Sequence, residues 1–454
     1  MKDIIVVLPG IMGSVLRKNN EDVWAPSGGA VWNFLKSRSK SIRGLALAGH
    51  DDGTLDTLGD GVEATGLMPD VHLIPGLFAI DGYSGIRKYI LETFDVVEND
   101  NYIEFPYDWR RNNEAHGRRL RQEATVWLDR WRTKSGNPDA KLVLVAHSMG
   151  GLVARSFLEL NDGWQDTRRL VTFGTPFQGS LSSLDFIVNG FKKGKGPIGI
   201  DLSELVRSLT SIQQLLPSVE CINEGGQNKG IDDIAVPHLR ADLATAALDF
   251  HRKINAAAAA GNGPIDPIVG IRQPTLQAAT IDGTKLTLTK KLVTAGVEMA
   301  GDGTVPRWSA TPLEMSTDFT GTVYTAGQHG ELQNTTTALT HLEGLLTEAP
   351  APPFQQAGPT DFIGIDLDDF YEEGEDVSLE LTSGALNPTF HIEITDHTTG
   401  QDAVPPIDVD NLDGDETMTE TIGGLTAGTY RVTVTTPGID ASPVSRPFLV
   451  GTDQ

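Results

Sequence analysis

Residues 141–158 read KLVLVAHSMGGLVARSFL. An apolar, β-branched run gives way at Ala146-His147-Ser148-Met149-Gly150 to a helical pattern from Leu152 to Leu160, so the order is strand, sharp turn, helix. A serine on such a turn projects at the C-terminal edge of a sheet, over the amino end of the following helix, where developing negative charge is favoured. The turn demands small residues on either side of the serine because larger side chains would collide. Gly150 and Gly151 meet that demand, and Ala146 stands where a first glycine is more usual.

A serine hydroxyl is a poor nucleophile until a base takes its proton, and the base in turn needs a carboxylate to orient it. In a fold with this elbow the chain order is serine, acid, histidine. Asp302 in AGDGTVP, flanked by Gly301 and Gly303 after a predicted strand over Val293 to Met299, fits the acid. His329 in AGQHGEL, just after the last predicted strand of the catalytic region, fits the base, whereas His238, His251 and His341 lie in helix-like segments or lack a following glycine. An oxyanion site needs two backbone N–H donors. Met149 supplies one, and the loop LPGIMGS after the first strand supplies the other from Ile11 or Met12, with Ile11 preferred.

Around these motifs the first 345 or so residues alternate short apolar runs with helical patterns, which predicts an α/β-hydrolase fold with a mostly parallel central sheet. The strand candidates are 4–8, 102–105, 141–146, 169–173, 267–271 and 321–326, with a crossover helix over Glu114 to Arg132. Insertions at about 14–81 and 180–264 have the length of cap or lid segments. In the second, Leu205, Leu209, Ile212 and Leu216 share one face of a predicted amphipathic helix. That face either covers substrate or packs on the core.

The proline-rich stretch 348–359 reads as a linker dividing a catalytic domain, 1–347, from a domain at 360–454 whose apolar residues recur with period two. Val377, Leu379 and Leu381, then Phe390, Ile392 and Ile394, then Tyr430, Val432 and Val434 alternate with polar neighbours. The pattern predicts a small all-β sandwich of immunoglobulin or fibronectin type.

Of the net charge of -25, most belongs to this second domain: from Gln356 onward there are 20 acidic side chains against 2 basic ones. Such a field disfavours nucleic acid and anionic membranes as partners and suits solubility or a basic protein partner. Cys221 is the sole cysteine and the apolar run Ile4 to Leu8 is too short for a signal-peptide core, so the expected location is cytoplasmic. No stretch reaches the length of a membrane span, which limits expected lipid contact to the periphery. No cofactor and no metal site is expected; the acidic loop from Asp408 to Glu416, with Asp410, Asp413 and Asp415, lacks EF-hand spacing for calcium.

Six segments in order, LPGIMGS, PYDWR at 106–110, VAHSMGG, FGTPFQGS at 173–180, GDGTVP and QHGEL, resemble the lecithin:cholesterol acyltransferase-like lipases with related bacterial esterases and inositol deacylases. The resemblance covers residues 1 to about 345 and not the acidic β-domain. It implies Ser148, Asp302 and His329 as a triad, Ile11 and Met149 as oxyanion donors, and a structural role for Asp108 and Arg110. It also implies that Trp24, Trp32 and Phe34 fall where relatives carry a lipid-contacting subdomain. The expected activity is hydrolysis of a lipid or other acyl ester through an acyl-enzyme, with O-acyl transfer to an alcohol as the alternative. A non-enzymatic alternative is an interaction protein that docks a partner through the acidic domain.

Overall fold

The computed structural model describes every residue except 26–41, 70–71, 75–77, 194–199, 259–262, 284, 291–292, 295–296, 316–321, 348–360, 412–416 and 452–454. The predicted linker and the positions Trp32, Phe34, Asp413, Asp415 and Glu416 lie outside the described residues.

All six predicted strands of the catalytic region form one sheet: β1 (Ile4–Leu8), β2 (Tyr102–Glu104), β3 (Leu142–His147), β4 (Thr167–Phe173), β5 (Ile265–Gly270) and β6 (Val323–Thr325). The order is β6-β5-β4-β3-β1-β2 and every neighbouring pair is parallel. Their apolar runs do not alternate because both faces are covered. Each residue of β1 and of β3 is buried, as a sheet with helices on both sides requires. The crossover helix spans Asn113–Ser135. It starts where the Asn112 side chain accepts the N–H of Glu114 and stops at Gly136 in the left-handed conformation. Leu120 and Leu128 face the core, while Val126 is exposed.

Two predicted elements differ. The strand expected over Val293 to Met299 is a small hairpin of Val293–Thr294 with Val297–Glu298, outside the central sheet. Asp302 instead reaches its place through a bridge to Gln273, just after β5. The single lid helix is two short ones, Ser203–Ser208 and Thr210–Gln213, broken where Leu209 adopts an extended conformation. Leu205, Leu209, Ile212 and Leu216 are all buried in the main core rather than presented to solvent. No helix among the described residues is long and apolar enough to cross a membrane.

Beyond the linker, a three-stranded and a five-stranded sheet enclose a separate core that includes Leu379, Phe390, Ile392, Val432 and Phe448. The period-two runs are the strands Val377–Ser383, Thr389–Asp396 and Gly428–Thr435. At the start of the last, the Tyr430 hydroxyl donates to the carbonyl of Thr426, four residues upstream, at 2.8 Å, tying the loop before the strand to its first turn of chain.

The elbow helix, Gly150–Leu160, sits so close to the end of β1 that a Cβ at Gly150 would lie 2.5 Å from the Pro9 carbonyl oxygen and 2.7 Å from that of Leu8. Backbone cannot give way there as a flexible side chain would. Gly150→Ala is expected to lower stability by about 1–3 kcal/mol, read as a lower denaturant midpoint at an unchanged slope; an unchanged midpoint would show that the elbow tolerates the methyl group.

Candidate active site

β3 ends at His147 and the next residue, Ser148, has φ 53. A non-glycine residue in this region costs about 1–2 kcal/mol, so the neighbours must over-determine it. They do so with three hydrogen bonds: the Ser148 N–H donates to the Phe173 carbonyl at 2.9 Å, and the Ser148 carbonyl accepts from the Gly151 N–H at 3.0 Å and from the Thr175 hydroxyl at 3.0 Å. The turn thus borrows its rigidity from β4 and the loop after it.

The structure brings the three residues proposed as serine, base and acid into one hydrogen-bonded line. Ser148 Oγ lies 2.9 Å from His329 Nε2, and His329 Nδ1 lies 2.7 Å from Asp302 Oδ2. All three are buried. The other Asp302 oxygen accepts the N–H groups of Thr304 at 3.0 Å and Val305 at 2.7 Å, and the His329 N–H donates to the Asp302 carbonyl at 2.7 Å. These bonds hold the carboxylate with one oxygen aimed at the imidazole, which makes Nδ1 the protonated nitrogen and leaves Nε2 to accept from the serine. Gly174 lies beneath the pair at φ 56, where a Cβ would come within 2.6 Å of Asp302 Oδ2, so no other residue fits.

His147, read from sequence only as an elbow residue, has a defined task. The Gly10 N–H donates to the Tyr83 hydroxyl at 2.7 Å, and that hydroxyl lies 2.9 Å from His147 Nδ1. His147 Nε2 lies 3.0 Å from the His329 carbonyl. Since the tyrosine oxygen already accepts from Gly10, it donates to Nδ1, and Nε2–H donates to His329. Burial lowers the His147 pKa to about 3, so the ring is neutral, as this chain of donors requires. Tyr83 and His147 together therefore link the LPGIMGS loop to the backbone of His329.

PYDWR braces the same loop. Tyr107 donates its hydroxyl to the Pro9 carbonyl at 2.7 Å and Trp109 its indole N–H to the Ser14 carbonyl at 3.2 Å. Asp108 and Arg110 form a buried ion pair at 2.6 Å and do not touch Ser148. Trp24 is buried edge-on against Trp109, with ring centroids 5.1 Å apart, so it is a core residue and not a lipid contact. Among the described residues, neither the Ile11 nor the Met149 N–H has an acceptor, although both residues are buried. Ala146 is fully buried between its neighbours. Of the four helix residues weighed as lid contacts, only Ile212 lines the narrow recess at Ser148, together with Leu215, Phe186 and Val305.

Several site residues carry no signal in the sequence. Gln328 donates to the side chain of Gln273 at 2.7 Å and to the Ile365 carbonyl at 3.1 Å. Gln273 donates to the carbonyls of Ala326 at 2.7 Å and Ile363 at 2.8 Å. The loop bearing His329 is therefore stitched to the first strand of the β-domain. Glu331 accepts from the Gln328 N–H at 3.2 Å and the Ser445 N–H at 3.4 Å, and Arg431 pairs with Asp81 beside it. Gln328 and Glu331 fall inside the QHGEL motif, but apart from the bond between them their partners lie dozens of residues away, where no local pattern reaches.

Burial, with the Asp81 carboxylate adding to it, pushes Glu331 up to about 8. An acid raised this way keeps its proton in the folded state while the unfolded chain has already lost it. Its favourable share of stability is full below the ordinary value of 4.5 and is lost as pH rises toward about 8. Glu331→Gln should remove that loss: the melting temperature of the native protein should fall between about pH 5 and 9 more steeply than that of the variant. Parallel profiles would refute the assignment.

Comparison with known proteins adds a likeness over part of the chain. Residues 83–251 match the family model described as lecithin:cholesterol acyltransferase; the span includes Ser148 and ends before Asp302 and His329. An uncharacterised protein of Saccharomyces cerevisiae is 27% identical over 175 residues, which are 38% of this chain and 23% of that protein. The chain thus spans about a quarter of the curated relative it matches. Two solved structures of the Bacillus licheniformis lipase BlEst2 are each 12% identical. The mature form covers 76% of this chain and 91% of its own at a TM-score of 0.33, and the propeptide form 99% and 93% at 0.35. Over residues 83–251, then, the chain is similar to the lecithin:cholesterol acyltransferase family, and the matched stretch lies on the all-parallel central sheet.

Proposed function

We propose that this protein is a serine-dependent ester hydrolase of acyl lipids and related esters, with residues 1–347 as its catalytic domain. The family match supports ester hydrolysis or acyl transfer on lipids. The observation that carries the mechanism is the line from Ser148 Oγ to His329 Nε2 to Asp302 Oδ2, at 2.9 and 2.7 Å.

In this reading His329 Nε2 takes the Ser148 proton as Oγ bonds to the ester carbonyl carbon, and Asp302 stabilises the imidazolium. The carbonyl oxygen, now an anion, is held by the N–H groups of Ile11 and Met149, two buried donors with no acceptor among the described residues. The tetrahedral carbon then expels the alkoxide, which leaves with the proton from Nε2, and the acyl group stays on Ser148. Water gives its proton to His329, attacks the acyl carbon, and Ser148 recovers its proton as the acid departs. The apolar recess beside Ser148, lined by Phe186, Ile212, Leu215 and Val305, takes the first carbons of the acyl side.

Ser148→Ala is expected to abolish labelling by a fluorophosphonate probe and to lower ester turnover by about 10³-fold or more, leaving only what the oxyanion donors and binding supply. Labelling that persists in the variant would sink the reading. Product analysis with an alcohol present separates its two forms, free acid marking hydrolysis and a new ester marking acyl transfer.

A further inference from the structure

The recess at Ser148 is narrow, about 20 Å³, but a second and larger cleft of about 320 Å³ opens on His329. The two share Ser182, Phe186 and Thr304 as walls. Their linings differ in kind. The recess is mostly apolar, whereas the cleft presents Asp185, Asp366, Asp369, Lys290 and Arg446 along with Gln328. One wall of it comes from the β-domain: Asp366, Asp369, Ser445, Arg446 and Pro447. That wall is held against the catalytic loop by the Gln328 and Gln273 bonds to Ile365 and Ile363.

The reaction gives this placement a meaning, on the reading that the protein works through an acyl-enzyme. The leaving oxygen takes its proton from His329 Nε2, so the alcohol half of an ester sits on the histidine side of the serine. That side is the cleft. Both cations of the lining are already engaged: Arg446 pairs with Asp369 at 2.7 Å and faces Asp366 at 3.6 Å, and Lys290 pairs with Asp366. An anionic head group would meet acidic groups in excess and the field of a domain with 20 acids against 2 bases from Gln356 onward. A neutral head group rich in hydroxyls can donate to the carboxylates and accept from the polar side chains at once.

We propose that this cleft is the alcohol subsite, that the C-terminal β-domain builds one wall of it, and that it takes a neutral polyol. The β-domain is then a specificity element of the enzyme.

The test uses the full chain and acetyl esters, whose acyl group suits the narrow recess. Glycerol monoacetate should exceed acetylated glycerol 3-phosphate in kcat/KM by about tenfold or more. Ser445→Trp, filling the cleft from the β-domain side, should lower kcat/KM for glycerol monoacetate by about tenfold while ethyl acetate stays within about twofold and fluorophosphonate labelling is unchanged. Equal loss on both esters, or equal use of the neutral and anionic alcohols, overturns the subsite. Should Ser445→Trp fail to fold, the native protein decides by partition. In ethyl acetate with added glycerol, a glycerol hydroxyl gives its proton to His329 and displaces Ser148 from the acyl carbon, and the acetylglycerol formed should exceed acetylation of glycerol 3-phosphate at equal concentration; equal partition overturns the proposal. Absence of labelling in the native protein would instead defeat the hydrolase reading itself.

Discussion

The left-handed turn at Ser148 is the constraint on which the rest of the site depends. It puts a non-glycine residue at φ 53, and it persists because three strands and a helix converge on it. The helix that follows begins within contact of the Leu8 and Pro9 carbonyls, so the same crowding that requires Gly150 also sets the loop after β1 beside the serine. Gly10 in that loop packs so closely on the serine that a Cβ there would lie 2.9 Å from the Ser148 Cβ.

Hydrogen bonds then extend that rigidity outward. Tyr83 and His147 connect Gly10 to the His329 backbone, and Tyr107 holds Pro9 from the other side. Ser148, His329 and Asp302 are held in line without any ligand, so on the proposed reading little reorganisation is left for the reacting state. The β-domain joins this scaffold through Gln273, Gln328 and the Arg431–Asp81 pair. The acidic domain that composition marks as separate thus reaches within one residue of His329.

Much of the frame was legible because its signals are local. Continuous apolar runs bounded by turn residues marked six parallel strands to within about two residues, and the serine, aspartate and histidine stood in glycine-flanked loops in the order the topology needs. Local signals also misled. Leucines at helical spacing from Leu205 to Leu216 read as one amphipathic helix that either covers substrate or packs on the core, yet the chain breaks at Leu209 and both short helices are buried in the main core. Trp24, near segments associated with lipid contact, is instead packed on Trp109.

By itself, the amino-acid sequence determined the sheet, the elbow, the order of the three polar residues and the division between an α/β region and an acidic β region, since periodicity and turn chemistry act over a few residues. Tertiary structure alone decided the rest. Tyr83 meets His147 across 64 positions, Gln328 meets Ile365 across 37, and Glu331 meets Ser445 across 114. Such contacts arise from how elements pack, and no residue in them differs in its local pattern from a tyrosine, glutamine or glutamate on an ordinary surface.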